Sequence, residues 1–272
     1  MNAGERTFSA PSRWRVAHFD SLDSTSEEAR RRAFSGDRGC LWVVAEEQSA
    51  GRGRRGRSWV SPRGNLYASA LLIDPCPPSV AVELGFVAGV ALARAVEDVG
   101  AVGVRLKWPN DLVLDGAKCA GLLVEGVSLA PKRLACVVGI GVNCHSAPES
   151  AGYPTARVTD ALGRPVDRRA LFERLATRFD QALAQWEEGA GFEAIRSVWL
   201  DHSGAIGERI RIQDAGGRRD GIFEGLDGDG RLLFRGEGGI EAVETADLWI
   251  LPASDDSPAA GVSVSRAREG RT

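Results

Sequence analysis

The sequence predicts an α+β fold: a mixed, largely antiparallel sheet flanked by helices, followed by a small SH3-like β-barrel. Three observations carry this. Between residues 104 and 142, apolar runs are separated by turn signals too short for helical crossovers, which selects antiparallel pairing. Residues 168–188 repeat apolar side chains at three- and four-residue spacing, the mark of a helix with one face against a core. From residue 203 the pattern changes to short alternating strands divided by DGDG and GEGG turns.

Residues 1–13 carry no apolar periodicity and are expected to be disordered or loosely attached, and they lack the apolar core of a signal peptide. Residues 14–19 begin the sheet. In DSLDSTSEEARRRAFSG, Ser24 with Glu27, or Thr25 with Glu28, fits a capping box, and Gly36 fits the helix end. That helix is expected to bury Ala29, Ala33 and Phe34 and to aim its free N–H groups at a pocket; capping alone would also account for Ser24 and Thr25. CLWVVA at 40–45 and NLYASALLI at 65–73 are buried strands, the second central. After PCPP, Ser79 is expected to cap a buried helix running to Val99 and ending at Gly100; Glu83, Gly85, Gly89, Arg94 and Glu97 argue against a membrane span. Strands follow at 104–108, 119–127 and 133–142. Pro109 and Asn110 break the first, placing Asp111 at a turn, and Asp115-Gly116 marks a hairpin. Helices at 168–188 and 192–200 complete a catalytic domain over 14–202, with the SH3-like module at 203–252 and a disordered tail at 253–272.

Residues 51–57 read GRGRRGR, with Trp59 two positions on. Glycines let the backbone wrap a ligand, and arginines match phosphate and carboxylate in bidentate fashion. The run suits an anionic ligand bearing a planar ring. A solvated loop or a nucleic-acid patch would read the same way in isolation. A net charge of −3 gives no basic surplus, so the positive charge is local, and no DNA partner is expected. Five cysteines without a C-x-x-C pair indicate free thiols in a reducing cytosol, and three scattered histidines give a zinc site little support.

Downstream, Lys107-Trp108-Pro109-Asn110-Asp111 and Lys118-Cys119-Ala120-Gly121 flank the expected hairpin, where a carboxylate and an ammonium can converge. Alone, Asp111 is as well explained by the turn and Lys118 by solvent exposure. Taken with Ser24-Thr25, Gln48, the arginine loop and GIGVN ending at Asn143, these motifs resemble the biotin protein ligases in order and spacing over residues 14–251. The resemblance implies a class II synthetase-like biotin/lipoate ligase domain of the monofunctional type, without the winged-helix repressor domain of some relatives. It implies that biotin and ATP, with Mg2+, give biotinyl-5′-AMP, and that biotin then passes to a lysine of a biotin carboxyl carrier protein domain.

By that resemblance, Lys118, Asp111, Arg52 and Arg54 are catalytic. Ser24, Thr25, Gln48, Gly51, Arg52, Arg54, Lys118 and Gly121 bind biotin. Arg54, Arg55, Arg57, Trp59, Asn110, Lys118 and Asn143 bind the nucleotide, with Trp59 against adenine; the metal ligands are unassigned. Asp111 would orient and deprotonate the incoming lysine. A cytoplasmic monomer or weak homodimer is expected. A lipoate–protein ligase or a nucleic-acid-binding protein is the alternative.

Overall fold

A computed structural model describes residues 8–129, 132–149 and 151–251. Its main sheet has seven strands. They are β1 (Arg15–Leu22), β2 (Leu41–Gln48), β3 (Leu66–Ile73), β4 (Val104–Lys107), β5 (Asp111–Leu114), β6 (Ala117–Ser128) and β7 (Leu134–Val142), in the order β1-β2-β3-β7-β6-β5-β4. Only β1 and β2 run parallel, joined through helix α1 (Thr25–Phe34). Every other pair is antiparallel, as the short turns require.

Alternation along the strands sends side chains to two faces. On one face, Leu41, Val43, Leu71 and Val137 pack against Ala29 and Ala33 of α1. On the other, Trp42, Val44, Ala68, Ala70 and Val138 meet α2 (Leu84–Asp98), α4 (Arg168–Trp186) and α5 (Phe192–Ser203). Trp42 is fully buried there, with ring centroids 5.5 Å from Trp14 and 5.3 Å from Phe179. A short α3 (Val158–Leu162), which carries too few residues for a periodic signal, follows the main sheet.

Several expectations need correction. Phe34 is 60% exposed, because α1 turns Ala29 and Ala33, not its last residue, toward the sheet. Ser79 caps no α-helix; Pro77 and Pro78 set up a 3-10 turn over Pro78–Glu83, and α2 starts at Leu84 without a side-chain cap. Residues 78–98 are long and apolar enough to cross a membrane by composition, but α2 is enclosed by the sheet, α4 and α5. Residues 8–13 are attached: Phe8 is buried against Phe172, and Ser9 donates to Glu173. The expected tail at 253–272 and residues 1–7 lie outside the described residues.

The C-terminal unit is a five-stranded antiparallel sheet of β8 (Arg209–Asp214), β9 (Gly217–Leu226), β10 (Leu232–Gly236), β11 (Gly239–Val243) and β12 (Asp247–Ile250), ordered β11-β10-β9-β8-β12. Its Ile210, Ile212, Phe223, Phe234 and Leu248 belong to the same contiguous core as Phe86, Phe192 and Trp199. Trp108 Nε1 donates to Gly230 O at 3.2 Å across the junction. Gly230 has φ +79°, and a Cβ there would stand 2.6 Å from Phe86, so the contact needs glycine.

Candidate active site

A cavity of about 670 Å3 lies on the α1 face of the main sheet, roofed by residues 52–60 and bounded by β12. The volume suits a small-molecule ligand.

Its floor is made of glycines. Gly121, Gly139 and Gly141 stand side by side on β6 and β7, and added Cβ atoms would strike what lies above. At Gly141 a Cβ would be 2.5 Å from Trp59 Nε1; at Gly121, 3.1 Å from Trp59 Cζ3; at Gly139, 2.6 Å from Ser26 Oγ. The Trp59 indole therefore rests on bare backbone, its Nε1 buried without a hydrogen-bond partner among the described residues. Gly141→Ala is expected to push the indole off the sheet and destabilise the protein by about 1–3 kcal/mol in urea unfolding. Gly126→Ala, whose Cβ would meet only Leu134 at 3.6 Å, is expected to stay near wild type.

One wall is the N-terminus of α1. Ser24 is the N-cap and accepts from Glu27 N. Thr25 donates from its N–H to Gln48 Oε1 at 2.8 Å, and its hydroxyl lies 3.1 Å from the same oxygen and 2.8 Å from Ser69 Oγ. Gln48 Nε2 donates to Ser61 Oγ at 2.9 Å, which donates to Trp59 O at 2.8 Å. A relay of hydrogen bonds thus joins the helix terminus to the arginine flap. Thr25 points into the sheet and takes no part in capping; the polar wall also includes Ser26 and Ser69, joined at 3.0 Å.

The second wall is the hairpin of β4 and β5. Asp111 is not in the turn, which is confined to residues 108–110. It opens β5, paired with Lys107 on one side and Gly121 on the other. Lys118 Nζ reaches Asp111 Oδ1 at 2.7 Å, an ion pair off the hydrogen-bonding direction, since that oxygen has no hydrogen-bond partner among the described residues. The ammonium also stands 5.6 Å from the ring centroids of both Trp59 and Tyr153. Backbone bonds from Lys118 N to Pro154 O and from Ala156 N to Lys118 O fix its strand to the next loop. Asn143, buried, donates its amide to Ala156 O at 3.3 Å and pins that loop to the end of β7.

The roof is the flap itself. Bonds from Gly53 N to Arg57 O and Trp59 N to Gly51 O make it a self-braced hairpin, with Arg55 left-handed at φ 56°. Arg54 reaches Asn110 Oδ1 at 3.3 Å, while Asn110 Nδ2 donates to Leu122 O. Burial and the neighbouring Arg55 charge hold the Arg54 pKa below its usual value. Burial also lowers that of Lys107, a second ammonium facing Asp111.

Ser24, Thr25, Gln48, Arg52, Arg54, Arg57, Trp59, Asn110, Asp111, Lys118, Gly121 and Asn143 all line the cavity. Gly51 and Arg55 do not. Gly51 closes the neck of the flap, where a Cβ would sit 2.4 Å from Trp59 O, and Arg55 is taken up by Asp247 at 3.2 Å. Ser26, Ser69, Tyr153 and the β12 residues had no motif to announce them, and Lys107, although inside the Lys-Trp-Pro-Asn-Asp run, was given no role of its own. Among the described residues no three His, Cys, Asp or Glu side chains cluster as a metal cage.

Residues 19–143 match the biotin/lipoate A/B protein ligase family. The chain is 39% identical over 234 residues to a biotin–[acetyl-CoA-carboxylase] ligase of Paracoccus denitrificans, covering 84% of this chain and 97% of that one. It is 34% identical to the bifunctional ligase/repressor of Escherichia coli, over 83% of this chain and 71% of that protein. Among solved structures, the biotin protein ligase of Aquifex aeolicus in complex with biotin and ATP superposes with a TM-score of 0.76 at 27% identity, covering 87% and 99% of the two chains. The glycine floor, the Lys118–Asp111 pair and the arginine flap thus stand in a chain that belongs to the biotin protein ligases.

Proposed function

We propose that this chain activates biotin with ATP and transfers it to a lysine of a biotin carboxyl carrier protein domain. The observation that carries the proposal is the convergence of Lys118, Asp111 and Arg54 on one glycine-floored cavity. Free thiols, with no disulfide among the described residues, support a cytoplasmic setting.

In the first step the biotin carboxylate attacks the α-phosphorus of ATP. The bond to the β-phosphate breaks, giving biotinyl-5′-AMP and pyrophosphate. Two anions must meet, so cations have to offset their repulsion. Lys118 and Arg54 supply that charge at the junction, and Lys107 adds a further ammonium nearby. The flap excludes water, which would hydrolyse the mixed anhydride. The polar wall of Ser24, Thr25 and Gln48 suits the ureido ring. Magnesium bound with ATP would supply further positive charge to offset the phosphate oxygens, and no cluster of carboxylates among the described residues would hold it independently of the nucleotide.

In the second step the acceptor amine attacks the acyl carbon and AMP leaves. An amine attacks only when neutral. Asp111, released from Lys118 as phosphate oxygens take over that ammonium, draws in the incoming lysine and accepts its proton. ATP-dependent incorporation of biotin into a carrier domain tests the proposal. Adenylate formation with lipoate and none with biotin would overturn it in favour of a lipoate ligase.

A further inference from the structure

Three of the four flap arginines already hold carboxylates. Arg52 bridges Glu125 at 2.8 Å and Glu27 at 3.4 Å, at the lip of the main sheet. Arg55 at 3.2 Å, and Arg57, both reach Asp247, the first residue of β12 and 190 residues from Arg57. Arg54 makes no ion pair among the described residues. It donates instead to Thr245 Oγ1, two residues before Asp247, at 2.7 Å. The C-terminal unit thus grips the flap at three arginines through one short segment.

That segment is firmly presented. Asp247 pairs with Gln213 of β8, and the adjoining Leu248 and Ala246 are buried in the common core. The flap is braced across its own neck by the Gly53–Arg57 and Trp59–Gly51 backbone bonds, so a hold on its tip constrains the whole. Individual exposed ion pairs contribute little, but contacts shared by one rigid hairpin act together.

We infer that Asp247, with Thr245, is a positioning device: it clamps the flap through Arg55 and Arg57 so that Arg54, in no ion pair among the described residues, is presented to the anionic reacting centre. Arg55, which does not line the cavity, then serves the flap, while Arg57 both holds Asp247 and lines the cavity. The consequence for chemistry rests on the proposed adenylation, whereas the clamp does not.

Trypsin cuts after arginine, so the flap reports its own mobility. In the full chain, Asp247→Asn is expected to speed cleavage within residues 51–58 about tenfold over wild type, relative to cleavage elsewhere and with the thermal midpoint unchanged. Asp247→Glu is expected to return the rate toward wild type. Screening with about 1 M salt should accelerate flap cleavage in wild type but not in the Asn variant. In parallel, Asp247→Asn should release several-fold more biotinyl-AMP into solution per biotin transferred. Unchanged flap cleavage in Asp247→Asn, or a Glu variant as labile as the Asn one, would overturn the clamp. A wild-type enzyme that makes no adenylate, with the cleavage pattern as expected, would overturn the proposed reaction and leave the clamp standing.

Discussion

Lys118→Ala is expected to slow adenylate formation by about 10²–10³-fold, the scale of losing one preorganised group at a developing anion. Pyrophosphate exchange in the presence of biotin measures it directly. The fold should survive. The side chain is 20% exposed, and the backbone bonds to Pro154 and Ala156 do not involve it. What is removed is a cation held by Asp111 on one side and framed by Trp59 and Tyr153 on the other. Arginine is a poor substitute, since its planar fork is bulkier than the point charge the site accommodates. Near-normal exchange in the alanine variant would remove Lys118 from the chemistry.

Asp111→Ala should separate the two half-reactions. Transfer from preformed adenylate to the carrier lysine is expected to fall by about 10²-fold or more, within the usual range for losing a general base. Adenylate formation should change less, because Lys118 and Arg54 remain. The variant also loses the partner of Lys118, and Lys107 is left facing it without the intervening carboxylate. Some slowing of the first step is therefore part of the expectation. Single-turnover transfer followed by the appearance of AMP distinguishes the steps. An unaltered transfer rate would mean that Asp111 only shapes the start of β5.

The sheet and helices were legible because their signals are local: alternation in residues 65–73, the spacing of Leu171, Leu175 and Phe179, and Asp115-Gly116 as a two-residue turn with both residues left-handed. The site was legible where it is written as motifs. What escaped was whatever depends on register. That Lys107, Asp111 and Gly121 share one row across three strands follows from pairing, and no single stretch reveals it. The placement of Asp111 in a turn failed for the same reason, since proline and asparagine signal a break without saying where pairing resumes. Thr245 and Asp247 sit in a segment with no motif at all. Their place beside the flap comes from tertiary packing of a unit whose sequence shows only short alternating strands. Ser26 and Ser69, at the end of a cap motif and inside an apolar strand, look like ordinary small residues until the sheet sets them against Gly139.

The common core that runs from Phe86 and Trp199 into Ile210 and Phe234 has one more implication. A boundary that looks clean along the chain is seamless in three dimensions. Excising either half would bare an oily face with nothing to cover it, and the halves should melt in one cooperative step. Evolution can therefore adjust the smaller half only within what the larger one tolerates, which ties drift in one to compensation in the other.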